Sequence, residues 1–259
     1  MESDPVSGTI ADPGLFGNQH FKEDHGFRFP PANSSFVVVV FGPPGSGKGT
    51  QSALISQRLQ LPHISTGDML RDRILQGDSL GRQIAERIDH GRFVPDSWID
   101  QILDERLVYP DCRIGCVLDG YPRTSAQAER FYGSGLYASR TLFVIRLKAE
   151  ASKLAERFSG RRQCDRCGAL FHLEFQPSLA GDFCDRTDCN GRLAPRADDR
   201  EEFLQRRLED YAGLTRPVLE LLFPHARLVV DVDAADGAPD EIHERIWAGL
   251  NQDGDANSE

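Results

Sequence analysis

Residues 42–50 read Gly-Pro-Pro-Gly-Ser-Gly-Lys-Gly-Thr and follow directly on the apolar run Phe36–Phe41. These residue types at this spacing suit phosphate chemistry. Closely set glycines let backbone N–H groups curl around phosphate oxygens, and a helix starting near Thr50 would point its positive end at the same anion. Lys48 adds a point charge able to follow a moving phosphate. Only four of the 30 basic residues are lysines, so one placed here is not background. A second segment, Ser65-Thr66-Gly67-Asp68-Met69-Leu70-Arg71, offers Thr66 and Asp68 as helix caps. It places Arg71 one turn in, where a guanidinium can hold a phosphate. A third, Leu118-Asp119-Gly120-Tyr121-Pro122-Arg123-Thr124, ends a strand with a carboxylate suited to magnesium-bound waters and follows it with a second clamp arginine. Gln127 lies four residues further on, with an amide that can read a base edge.

Elements that would position these residues alternate along the chain. Strands are expected over 36–41, 116–118, 141–147 and 228–232, and helices over 50–59, 96–107, 125–131, 149–157 and 199–223. That alternation predicts an α/β fold, a parallel sheet wrapped by helices, with ligands at the carboxyl ends of its strands. A small helical insertion is expected over 65–94 and a Cys- and Gly-containing insertion over 161–198. Residues 1–35 carry Pro, Gly, Ser and Asp without a sustained period and read as a flexible extension, with Phe16, Phe21, Phe27 and Phe29 able to dock on the core. Residues 251–259 read as a polar tail. The formal net charge of −10 argues against a broad nucleic-acid surface. No run is long enough to span a bilayer, and no basic-then-apolar leader opens the sequence, so a cytoplasmic protein is expected.

The phosphate-loop pattern ordinarily has Ser or Thr directly after its lysine. Here Gly49 intervenes before Thr50, which narrows the expectation to small-molecule phosphoryl-transfer kinases. With Gly42–Thr50, Ser65–Arg71, Asp119–Thr124, the Gly160-Arg161-Arg162 turn and Arg196-Ala197-Asp198-Asp199 in this order, the chain resembles the adenylate kinases over roughly residues 36–250. The resemblance implies a P-loop core, a small AMP-binding helical insertion and a lid over ATP. It implies phosphoryl transfer from Mg-ATP to AMP giving two ADP, by a monomer. By position, Gly45, Ser46, Gly47, Lys48, Gly49 and Thr50 would hold the ATP phosphates, and Arg157 would stack on its adenine. Thr66, Gly67, Arg71, Arg92, Phe93, Val94, Gly120, Arg123 and Gln127 would form the AMP site. Arg123, Arg161, Arg196 and Arg207 would close on the transferred phosphate, with Asp119 beside the magnesium and Asp198 and Asp199 at the lid hinge.

Cys164-x2-Cys167 has zinc-ribbon spacing and lies with Cys184-x4-Cys189 in the lid segment. Lids of this family commonly carry structural zinc on two Cys-x2-Cys pairs. Here the second pair is two residues wider, with Thr187 in the expected slot, so Cys189 is preferred as fourth ligand over Asp188, Asp185 and His172. Cys112 and Cys116 read as core residues. Three other readings compete. A pyrimidine (UMP/CMP) monophosphate kinase on the same scaffold is opposed by Thr66 and by Thr124. A catalytically dead sensor or scaffold is opposed by retention of the lysine and clamp arginines. A zinc-ribbon nucleic-acid module is opposed by the acidic charge balance.

Overall fold

The computed structural model describes residues 34–252 except 91, 93, 134 and 196–200. Most of the expected extension and tail, and Phe93, Arg196, Asp198 and Asp199, lie outside the described residues.

Strand β1 (Phe36–Phe41) is the centre of the molecule, and all six of its residues are buried. β-branched side chains alternate cleanly across it. Val37, Val39 and Phe41 face one apolar cluster, and Phe36, Val38 and Val40 face another. The sheet adds β2 (His63–Ser65), β3 (Gly115–Asp119), β4 (Thr141–Lys148) and β8 (Ala226–Asp233) in the order β2-β3-β1-β4-β8, with every pairing parallel. After β1 the chain crosses to β2 on one side, and after β3 it crosses to β4 on the other. The carboxyl end of β1 is therefore the topological switch point, where such sheets bind ligands.

Helices cover both faces. α1 (Lys48–Leu59) and α10 (Pro239–Gln252) bury Ile55, Leu59, Ile242, Ile246 and Trp247 on one side. α4 (Asp96–Leu107), α5 (Ser125–Gly133) and α9 (Arg216–Leu222) bury Ile99, Leu103, Phe131, Val218 and Leu222 on the other. Cys112 and Cys116 are fully buried in that second cluster, as their core reading expects. The short α6 (Gly135–Ala138) precedes β4, and α7 (Ala151–Ser159) leads from it into the lid segment.

The sequence expects one helix over 199–223. It is divided into α8 (Glu201–Asp210), a π turn at Tyr211–Thr215, and α9. Pro217 lacks the N–H that would bond back to residue 213, so regular α pairing cannot run through this turn. The two insertions have separate architectures. The Cys-containing insertion carries an antiparallel sheet in the order β6-β5-β7 from β5 (Arg161–Cys164), β6 (Leu170–His172) and β7 (Leu193–Ala194). The helical insertion is α2 (Thr66–Gln76) and α3 (Ser79–Asp89), joined by Gly77 in the left-handed conformation. The cap of α2 is Ser65 rather than Thr66 or Asp68, its Oγ accepting from the Asp68 N–H at 3.2 Å. Asp78 caps α3 through the Gly81 N–H at 2.7 Å.

Gly81 sets how closely these two helices approach. A Cβ built there would lie 2.1 Å from the Arg73 carbonyl oxygen, a backbone atom that cannot swing aside. Gly81→Ala is expected to cost about 1–3 kcal/mol, read as a lower midpoint in denaturant, while Lys48 and its neighbours keep their geometry. An unchanged midpoint would show that α2 and α3 can separate freely.

Candidate functional site

Gly47, at φ 88, supplies no side chain to cap α1, and the first turn of α1 carries no acidic residue. The first N–H groups of α1 thus stand ready for an anion. Within the loop, the Ser46 N–H donates to the Pro43 oxygen at 3.1 Å, and Lys48 Nζ donates to the same carbonyl at 2.9 Å. Around this ammonium the chain gathers three guanidinium groups from distant elements, Arg123 after β3, Arg161 at the start of β5 and Arg207 on α8. Burial, and then repulsion from Arg123, Arg207 and Arg161, bring the Lys48 pKa down to about 7 against the opposing pull of Asp119. A cluster of like charges that weakens its own lysine is matched to a polyanion. Arg161 and Arg207 both lie over the Phe158 ring, at 5.8 and 5.5 Å, so one aromatic side chain places two guanidinium groups.

Asp119 ends β3 with its carboxylate above Gly49. Its Oδ2 is 3.9 Å from His63 Nε2, a buried atom with no hydrogen-bond partner. The expected second and third segments meet beside it. The Thr66 hydroxyl donates to the Gly120 oxygen at 2.9 Å, and Arg123 Nε donates to that oxygen at 2.8 Å. Arg71 pairs with Asp68 one turn earlier on α2. Arg92 is exposed and Val94 is buried at the end of the helical insertion. Gln127 is buried, its Oε1 accepting from the Arg123 N–H at 2.7 Å and its Nε2 donating to Asp96 at 2.8 Å.

Beside the phosphate loop lies a cleft lined by Gly47, Thr50, Arg157, Arg161, Phe175 and Pro239 among others. Arg157 donates to the Ala234 oxygen and sits 5.2 Å over the Phe175 ring, leaving a flat cation against a flat aromatic. Burial lowers its pKa. Sequence reading missed Phe175, Gln51, Gly237 and Pro239 in this cleft. The signal available was the Gly237-Ala238-Pro239 turn after β8, at the same sheet edge as the phosphate loop. It also missed Asp96 as the partner of Gln127.

In the lid, the sulfurs of Cys164, Cys167, Cys184 and Cys189 all lie within 4.8 Å of one another. Cys164 and Cys189 are 3.6 Å apart, as are Cys167 and Cys184. A disulfide holds its sulfurs at about 2.05 Å. Four thiolates at about 2.3 Å from a tetrahedral zinc stand about 3.8 Å apart, so this set fits the metal. The two extra residues of the second pair are absorbed where Asp188 takes the left-handed conformation at φ 62, one that Asp tolerates better than most residues. Two of the alternative ligands, Asp185 and His172, are otherwise engaged. Asp185 accepts from the Leu179 N–H, and His172 accepts at Nδ1 from the Glu174 and Phe175 N–H groups while its Nε2 faces the Arg157 oxygen.

The family model described as adenylate kinase matches residues 40–226. An adenylate kinase of Methanocella arvoryzae is 43% identical over 215 residues, 83% of this chain and 98% of the relative. One of Alkaliphilus oremlandii is 40% identical, covering 83% and 99%. One of Moorella thermoacetica is 43% identical, covering 78% and 92%.

Two outcomes follow from this geometry. At pH 8.5 a Lys48 with a pKa of about 7 is mostly neutral, and a bound polyphosphate restores its charge by linkage. Binding is expected to take up close to one proton at pH 8.5, where the phosphates are already fully ionised and Lys48 is the group that gains charge. Calorimetry in buffers of different ionisation enthalpy measures this, and a Lys48→Met chain should lose the pH 8.5 uptake. Equal uptake with and without Lys48 would place the titrating group elsewhere. In the lid, Cys189→Ser is expected to release most of the bound zinc and Cys112→Ser none, by elemental analysis of anaerobically purified protein. Full zinc content in Cys189→Ser would remove this ligand set.

Proposed function

We infer that this chain, which belongs to the adenylate kinase family, catalyses reversible phosphoryl transfer between ATP and AMP to give two ADP. The observation that carries the reading is the convergence of Lys48, Arg123, Arg161 and Arg207 at the open N-terminus of α1, beside the cleft of Arg157 and Phe175.

ATP lies in the cleft of Arg157 and Phe175, its phosphates in the Gly45–Thr50 loop. AMP lies against Thr66, Gly67, Arg71, Gly120, Arg123 and Gln127, with Arg92, Phe93 and Val94 along its nucleoside. A phosphate oxygen of AMP attacks the γ-phosphorus, and the bond from that phosphorus to the β–γ bridging oxygen breaks. The AMP phosphate is already a nucleophile, so no side chain has to remove a proton. What the protein supplies is placement and charge. Lys48 follows the phosphoryl group between donor and acceptor. Arg123, Arg161, Arg196 and Arg207 neutralise the charge on its oxygens. Asp119, at the end of β3 beside the loop, would hold magnesium carried with ATP through its waters, and the ion would supply charge neutralisation on the triphosphate.

The functional division that accompanies this reading is a core over 36–250 with an AMP-binding insertion at 65–94 and a lid at 161–198. The lid closes over ATP and excludes water from the transfer. Cys164, Cys167, Cys184 and Cys189 would hold a zinc ion that cross-links this lid without taking part in the chemistry. Among the described residues no helix is long and apolar enough to cross a membrane. A cytoplasmic monomer acting on free nucleotides accords with that.

Initial rates with Mg-ATP and a panel of AMP, GMP, CMP and UMP test the reading. AMP is expected to lead, and Lys48→Ala is expected to remove most activity, a drop of at least about a hundredfold, in a chain that still folds. Comparable kcat/KM for CMP would favour the pyrimidine kinase, and near-normal turnover without Lys48 would sink the catalytic assignment.

A further inference from the structure

Asp96 opens α4, and its carboxylate closes a ring of hydrogen bonds around Gln127. Its Oδ1 accepts from Gln127 Nε2 at 2.8 Å and its Oδ2 accepts from the Thr124 hydroxyl at 2.6 Å. Thr124 Oγ1 in turn accepts from the Gln127 N–H at 3.2 Å, and Gln127 Oε1 accepts from the Arg123 N–H at 2.7 Å. Gln127 is 1% exposed, so its carboxamide is held by these partners and not by water.

A carboxamide has two orientations of similar shape, related by a half-turn that exchanges oxygen and nitrogen. A carboxylate only accepts and a backbone N–H only donates. Asp96 and the Arg123 N–H therefore both reject the flipped form, from opposite ends of the same group. Each amide atom still has one hydrogen-bonding direction left, an Nε2–H donor and an Oε1 lone pair. Adenine presents an acceptor at N1 beside the amino donor at N6. Hypoxanthine presents the reverse, a donor at N1 beside an acceptor at O6. The held orientation matches the first pattern, and the flipped one matches the second.

We propose that Asp96 is a positioning residue for acceptor specificity, fixing the Gln127 carboxamide so that adenine is accepted and 6-oxopurines are refused. This rests on the reading that AMP is the phosphoryl acceptor with Gln127 at its base. Burial sharpens the choice, because a mismatched base leaves two buried polar groups facing like groups.

Asp96→Asn is the test, because asparagine keeps the shape and can donate to a flipped Gln127. Initial rates are measured with AMP and with IMP, which differs from AMP only at that edge. The expected result is a fall in the AMP:IMP ratio of kcat/KM of about tenfold. It should be carried by KM for the monophosphate, with KM for ATP and the saturated kcat within about twofold. Thr124→Ala leaves the Asp96–Gln127 contact in place and is expected to keep the ratio within about threefold. If Asp96→Asn melts too low to assay, Asp96→Ser is read in the same way. An unchanged ratio in a folded variant that still uses AMP overturns the proposal, as does an equal loss in Thr124→Ala, which would assign the effect to local packing. A wild-type chain that makes no ADP from AMP overturns this proposal and the acceptor reading together.

Discussion

One constraint organises this protein: several positive charges must be held close together before any anion arrives. Lys48 and three guanidinium groups meet at the end of β1, with Asp119 as the opposing charge near the lysine. Left to relax, such groups would separate into solvent. They are kept together by elements with other reasons to stay put. Arg123 is anchored to the Gly120 oxygen, while Arg161 and Arg207 share the Phe158 ring. Lys48 is tied to the Pro43 carbonyl at the mouth of a fully buried strand. The apolar sheet thus does more than fold the chain. It holds an electrostatic arrangement that the arranged groups would not adopt alone, the kind of preorganisation on which electrostatic catalysis of phosphoryl transfer depends.

Much of this was legible in the sequence, for definite reasons. The Phe36–Phe41 run and the glycine-rich loop after it are local signals, and both the strand and the loop-to-helix turn follow from them. The short β2 was missed because three residues with a single apolar one, Ile64, carry no period. The sequence offers Thr66 and Asp68 as caps of α2 where the chain uses Ser65, since all three types can cap and only backbone geometry chooses among them. The helix over 199–223 was expected to be continuous although Pro217 lies within it, because apolar spacing persists on both sides. The cleft residues Phe175 and Pro239 were invisible for a different reason. Neither belongs to a motif, and the fold brings them together from the lid segment and the last helix.

The lid has too little apolar material to hold itself together. Its buried cluster is Cys164, Ala169, Phe171, Cys184 and Cys189, with Leu193 against it, and one of its three strands has two residues. A core that small rarely sustains a fold without a cross-link. Three of those five buried residues are themselves cysteines of the four-sulfur cluster, so the groups that pack here are the same ones that fit a zinc ion. That leaves the remaining lid surface free to vary, and Leu179 and Phe183 are indeed exposed apolar residues on it.

The π turn at Tyr211–Thr215 bears on helical phase. A π turn takes up about one residue more than an α turn, and one residue corresponds to about 100° of rotation. α8 and α9 are therefore not one face continued. The turn lets Arg207 look toward the phosphate loop while Val218, Leu219 and Leu222 look into the sheet. Regular winding would align one of those faces at the expense of the other. The local irregularity acts as a gear between two angular requirements, one set by charge and one by packing. Chain length in this short segment is thereby coupled to the aim of a guanidinium several residues away.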